Sequence, residues 1–509
     1  MSFVDYLCRN MTETTKFLNL RSEYFAAGLL LITLLLFVTT SCRKDEIGSS
    51  PLYQLSFSAD TVIFDTVFTS IGSVTKQLMV YNKNSERIRI SSVSLQSGAQ
   101  SAFRINVDGA AGNTVNDLEI AANDSAYIFV RVTVDPSDEN NPFVVEDELR
   151  FMTNGNEQRI KLVAWGQNAV YILADQQIEG FPPFSIVADS LQTTVWTSNR
   201  PYVVYGYALI NSYGTLIIEE GTQVHFHDKS GLWAFADGVL KVKGTLENPV
   251  VFQGDRLDQP YRNVPGQWDR IWLMEGRAGY DHEIDYAIIR NGYIGLQAES
   301  FLRPTSNKLI INNTIIENHT GLGLFARLFT IEADNLVLAN CGNYTAALTM
   351  GGSYTFRHAT FANNWSFSPR NNPSLFLNNY FTDAEENIVT VNFQFYAGNS
   401  VIYGSAVEEI QTDFKAGADS AYVFEHCLVK TGRNFTDWPA FVNCLKNDDP
   451  LFVDYSNFDY RPDSLSPLID KGNISISAEV PHDLNGTDRS QSPDIGAYEF
   501  VPTVKPHAK

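Results

Sequence analysis

Five tryptophans, Trp233, Trp268, Trp272, Trp365 and Trp438, fall between residues 233 and 438. An indole exposed on a flat β-face stacks on a sugar ring, whereas a buried one anchors a core or a loop. Trp272, within Arg270-Ile271-Trp272-Leu273, alternates with apolar neighbours, which turns it outward on a strand; Trp233, Trp268, Trp272 and Trp365 are the candidates for contact with a glycan. Cutting a glycan by hydrolysis takes two carboxylates, and elimination across a uronate takes a cation and a Lys or Arg base. Asp255-Arg256, Arg262, Asp269-Arg270, Arg290, Arg357-His358 and Arg370 could supply parts of the second set. Nothing in their spacing puts them on one face, and such residues usually form solvated charge ladders.

His225 and His227 alternate around Phe226 and could share a metal, but no third ligand is evident; the bland alternative is an exposed pair on an outer face. Asp449, Asp470, Asp483 and Asp494 could be calcium ligands, yet without EF-hand-type spacing they read as turn caps, so no metal and no cofactor is expected. Cys341, Cys427 and Cys444 read as small buried side chains, with a Cys427–Cys444 bridge as the alternative.

The elements that must position these residues are strands. In 509 residues, 58 Asp+Glu against 37 Lys+Arg give a net charge of −21, which repels phosphate backbones and argues against nucleic acid as a partner. With 44% hydrophobic residues the chain can bury large cores, and it has no CxxC, HExxH or P-loop motif. Period-two alternation broken by turn residues fills residues 53–170, as in Gln77–Asn82, Phe103–Val107 and Ile128–Val132, and Asn154-Gly155 marks a hairpin. Short strands without a convincing helix predict an Ig-like β-sandwich there.

From residue 171 to 448 the chain repeats. Gly221-Thr222 and Gly244-Thr245 lie 23 residues apart. Ala287–Asn291, Thr314–Asn318, Leu336–Asn340 and Ala359–Asn363 align without gaps, their asparagines separated by steps of 27, 22 and 23. A unit of that size with short β-branched strands cannot bury its apolar side alone, so coils must stack. Asparagine suits a fixed corner because it tolerates positive φ and its amide can bond to the next coil's asparagine. Leucine-rich spacing is absent, and the fold expected is all-β, an Ig-like sandwich followed by a right-handed parallel β-helix.

These segments resemble the right-handed β-helix repeat proteins. Asp449–Asp454, Tyr460–Gly472, Asp483–Gly486 and Asp494–Glu499 resemble the C-terminal region of secreted bacterial β-helix proteins, so residues 449–509 are expected to close the solenoid's end. Polygalacturonase-like hydrolases of this fold carry ordered Asn-Thr-Asp, Asp-Asp, Gly-His-Gly and Arg-Ile-Lys motifs. Here Arg159-Ile160-Lys161 falls upstream of the solenoid and Asp448-Asp449 at its end, which excludes that assignment.

Arg9, Lys16 and Arg21 precede an apolar run from Phe25 to Val38, shorter than the roughly 20 residues of a membrane span. Thr39-Thr40-Ser41-Cys42 follows and resembles a bacterial lipobox, with Thr39 where that family has Leu; the alternative is an uncleaved anchor. The resemblance implies a signal peptide over 1–41, a lipidated Cys42 and a tether over 42–52. Lys44-Asp45-Glu46 resembles the export tag of Bacteroidota-type surface lipoproteins, which implies an outer-membrane, surface-exposed protein whose partner is the membrane, through its lipid. Six Asp-Ser/Thr-apolar tripeptides, from Asp60-Thr61-Val62 to Asp463-Ser464-Leu465, resemble that group's O-glycosylation sequon. The function expected is non-catalytic contact with polysaccharides or other surface partners. The alternatives are a β-helix polysaccharide lyase or hydrolase and a structural envelope component.

Overall fold

The computed structural model describes residues 46–70, 72–136, 142–301 and 304–502. Cys42, Lys44 and Asp45 lie outside the described residues, and Glu46 is exposed. The chain divides into two units, each described by itself. The first takes in the described part of Met1–Ile63 with Val74–Val132 and Glu146–Val163; the second takes in Phe64–Ser73, Thr133–Val145 and Ala164–Lys509 as far as described.

Two five-stranded sheets build the first unit. One orders Ser56–Phe57, Lys76–Asn82, Asp124–Val132, Phe103–Val107 and Ala110–Gly112; the other orders Thr61–Phe68, Asn156–Gln167, Phe143–Thr153, Ile88–Leu95 and Thr114–Ile120. The last residues of Thr61–Phe68 and Asn156–Gln167 run on into the second unit. Alternation decides which face is buried: Leu78, Val80, Ile128, Val130, Phe151 and Ile160 are enclosed, and Phe57 of one sheet meets Phe151 of the other at 4.8 Å. Asn154 and Gly155 adopt φ of 50° and 82°, as their hairpin requires. Asn154 also donates its amide to the carbonyls of Gly48 and Ser50, and Asn156 donates to that of Pro51. From Ile47 on, the segment expected as a tether contacts the sheet, and Ile47 bridges Arg87.

The second unit is a parallel β-solenoid, a 26-stranded sheet that wraps on itself. Each coil contributes three strands. Val170–Leu173, Phe184–Ala188 and Thr193–Trp196 pair in parallel with Tyr202–Tyr205, Tyr207–Ile210 and Thr215–Glu219 of the next coil, and these with Gln223–Phe226, Gly231–Ala234 and Val239–Lys243. In-register pairing turns a repeated sequence position into a continuous row. Ala208, Leu232, Ile271, Leu296, Leu324, Ala346, Leu375 and Ile410 form one such inward row, fully buried. Burying each Leu or Ile contributes about 1.5–3 kcal/mol.

Asn291, Asn318 and Asn340 stand at one corner with φ of 66°, 61° and 51°. Asn318 donates to Asn291 Oδ1 at 2.7 Å and Asn340 to Asn318 Oδ1 at 2.9 Å. Asn363 does not extend this ladder; its Oδ1 accepts instead from the Cys341 amide. The C-terminal segment, expected to close the solenoid's end, packs on outward-facing residues of its strands. Tyr460, Leu484, Ala497 and Tyr498 pack on Val337, Ala339 and Ala362, and Leu468 and Ile495 on Val401 and Leu428. It lies along the solenoid's flank because those outward positions are apolar and need covering.

Candidate functional site

The strand starting the second face of each coil, from Phe184–Ala188 through Ile271–Met274 to Ile410–Asp413, points alternate residues inward and outward. The outward row reads Ile186, Leu209, Trp233, Trp272, Gln297, Phe325, Ala347, Phe376 and Gln411. From Trp272 onward the row alternates large and small: the rings of Trp272, Phe325 and Phe376 are half-buried, and Gln297 and Ala347 between them are buried. Coils repeat at about 4.8 Å, so rings on alternate coils stand about 10 Å apart along the solenoid axis.

Charged groups hold Trp272 and Phe325. Trp272 donates its Nε1–H to Glu299 Oε1 at 2.6 Å, and the fully buried Glu299 also pairs with Arg327. Arg327 lies over the rings of Phe325 at 5.4 Å and Phe301 at 5.6 Å. On the row's other side Arg270 donates to Gln297 Oε1 at 2.5 Å, pairs with Asp269 at 2.9 Å and lies 5.9 Å over Tyr293. Phe301 and Tyr293 are half exposed, so the row carries an aromatic margin on both sides. The first rings are closed off: Trp233 stacks on Trp272 at 4.8 Å and is covered by Phe181 at 5.6 Å. An arrangement of this kind offers half-buried apolar rings at a regular interval, with hydrogen-bonding groups at its edges.

Of the four tryptophans singled out, Trp272 alone presents an accessible ring to this face. Trp233 is buried beneath Phe181 in the same row. Trp268 is a core residue, stacked on Phe226 at 4.6 Å with its Nε1–H given to the Arg290 carbonyl. Trp365 is buried, and its Nε1–H goes to Ser368 Oγ. These two hold the positions of core or loop anchors. Phe325, Phe376, Glu299 and Arg327 were not among the expected residues. The signal that could have found them is the register of Gly323-Leu324-Phe325-Ala326 and Ser374-Leu375-Phe376-Leu377 with Arg270-Ile271-Trp272-Leu273.

The remaining candidates have local partners. His225 is buried against the Gly254 carbonyl, and burial pushes its pKa down to about 4; His227 pairs with Asp255 at 2.7 Å. Asp483 accepts the amides of Asn485, Thr487 and Glu499, Asp494 those of Asp470 and Phe500, and Asp449 that of Leu451, which is turn capping. Among the described residues no group of His, Cys, Asp and Glu is arranged to hold a metal. Cys427 and Cys444 are free thiols. Arg159 and Lys161 are exposed on their strand and paired with Glu148, Glu157 and Glu146.

No family model and no curated protein matches the chain. Solved structures match only parts of it. A family 123 glycoside hydrolase from Clostridium perfringens is 8% identical over 23% of this chain and 30% of that one, with a TM-score of 0.17. The PapD-like domain 7 of human CEP192 is 7% identical over 25% of this chain and 93% of that one, TM-score 0.17. A protein of unknown function from Porphyromonas gingivalis W83 is 11% identical over 25% and 60%, TM-score 0.16. The chain spans about a third of the length of the glycoside hydrolase it matches.

Proposed function

We propose that this is an exported protein, lipidated at Cys42, tagged for the outer surface by Lys44-Asp45-Glu46, and displaying a right-handed β-helix on an Ig-like spacer to bind extended polysaccharides without cleaving them. The observation that carries the binding is the row of rings on alternate coils. Its interval of about 10 Å matches two pyranose units of an extended chain, so one glycan lying along the axis meets Trp272, Phe325 and Phe376 with every second sugar. Binding without turnover fits the engagement of the face's cations. Arg327 is held by Glu299, and Arg270 by Asp269 and Gln297, so both serve as struts for the platform.

Affinity electrophoresis through a neutral β-glucan tests this reading. Trp272→Ala, Phe325→Ala and Phe376→Ala are each expected to weaken retardation about tenfold, about 1.4 kcal/mol, with unchanged far-ultraviolet circular dichroism. A triple variant that is retarded like the wild type overturns it. So does a panel of neutral and charged polysaccharides none of which is retained.

A further inference from the structure

Within the solenoid unit a second feature stands apart from the aromatic row. Arg256, Arg262 and Arg290 line one cavity of about 440 Å³ together with Gln253, Asn291 and Trp165. Three guanidinium groups converging in a chain of net charge −21 run against the overall balance. The cavity wall contains one carboxylate, Asp65, and its Oδ2 accepts the Gln259 amide at 2.9 Å.

The arginines differ in what already holds them. Arg256 is fixed by Asp258, at 3.0 Å from its Nε, and lies 3.8 Å over the Tyr261 ring. Arg290 is half-buried and donates twice to Gln253 Oε1, at 3.0 and 2.7 Å, so its hydrogen-bond acceptor in the cavity wall is a neutral one. Arg262 is exposed and forms no ion pair among the described residues. Burial lowers the Arg290 pKa, attraction to Glu317 opposes that shift, and repulsion from the nearby Arg262 adds to it. Two like charges at one cavity are relieved by a bound anion, and guanidinium forks pair with oxyanions in two parallel bonds.

The loop that carries Arg256 and Arg262 is built in place. Asn291 donates to the Arg262 carbonyl at 2.7 Å, and Asn318 donates to that of Asn263 at 2.9 Å. The asparagine corner thus extends sideways to fasten the loop, so little ordering remains for a ligand to impose. At the wall, Trp165 keeps 45% of its surface exposed.

We propose that this cavity binds an oxyanion, sulfate or carboxylate, borne on a sugar whose ring lies against Trp165. The inference rests on the glycan-binding reading and adds a preference for acidic polymers. Three probes separate the two sites: a neutral β-glucan, the same glucan sulfated, and a polyuronate, each titrated calorimetrically into the full-length protein.

Wild-type protein is expected to bind at least one charged polymer tenfold or more tighter than the neutral glucan, with an affinity that falls as salt rises. The charged polymer that gains identifies the oxyanion. Arg256→Ala/Arg262→Ala, in two partly solvated positions, is expected to abolish the gain and leave neutral-glucan binding unchanged. Trp165→Ala should weaken charged-polymer binding without altering its salt dependence.

Equal affinity for all three polymers overturns the cavity and leaves the aromatic row standing. An undiminished preference in the double arginine variant does the same. A roughly tenfold weaker neutral-glucan binding in Trp272→Ala, with the charged preference retained, separates the row from the cavity and supports both.

Discussion

Glu317 shows how strongly burial governs single groups here. It is 6% exposed, and desolvation raises its pKa to about 7 against the attraction of Arg290. A carboxyl whose folded pKa lies above its unfolded one binds more protons when folded. Its contribution is therefore full below the unfolded value near 4.5 and is lost as pH rises through 7. Glu499 is shifted the same way, so the wild-type trend has more than one source. Comparison with Glu317→Gln isolates the one residue. The variant is expected to be more stable than wild type above pH 7, by up to roughly 3 kcal/mol, and to match it near pH 4.5. Denaturant melts at several pH values check this; a constant gap across that range contradicts it. At this scale the sequence discloses types but not surroundings. Trp272 reveals its outward face through alternation, whereas Trp233 and Trp268 carry the same side chain and differ only in what covers them, Phe181 and the core ring of Phe226.

Among the elements, the asparagine corner is the one most legible in the sequence. Positive φ at a repeated position favours Asn, Asp and Gly, and of these only Asn also donates along the row. Asn318 accepts from Asn340 and donates to both Asn291 and the Asn263 carbonyl. Asn318→Gly keeps the backbone geometry and removes every one of these bonds, whereas Asn318→Ala adds backbone strain. Glycine is expected to cost about 1–3 kcal/mol and alanine more. Both should speed proteolysis within residues 255–267, the loop that Asn263 belongs to, and should reduce the acidic-polymer preference. Proteolysis confined to other loops contradicts this. Asn363 shares the repeat but not the ladder, because sequence register aligns positions without fixing the φ that aims the amide. The alternation of aromatic and non-aromatic residues in the outward row is likewise present in the sequence, but it repeats over two coils and so escapes a one-coil repeat.

For the whole molecule, repetition makes the architecture readable and conceals the flank. Stacked coils follow from any sequence that cannot bury its strands singly, which Ala287–Asn291 and its copies announce. The run Leu336-Val337-Leu338-Ala339 is apolar on both faces, the mark of a strand covered from outside as well as within. That pattern, more than any motif, implies that something lies over it, and the something is the chain's own C-terminal segment. Arg489 fastens that segment. Its side chain is fully buried, donates to Glu499 Oε1 at 2.7 Å, to the carbonyls of His482 and Gly496, and to Asn335 Oδ1 of the solenoid at 2.5 Å. Arg489→Met leaves Glu499 buried opposite an apolar chain, and breaking such a pair from one side costs about 3–5 kcal/mol. Arg489→Met/Glu499→Met removes both charges and is expected to recover much of that loss. The segment's attachment, more than the stacked coils, should fail first, so the single variant should show cleavage between residues 449 and 500 at temperatures where the solenoid's circular dichroism is intact. Loss of both signals together, in one transition, would mean that segment and coils unfold as a single unit and that Arg489 serves the whole rather than the flank.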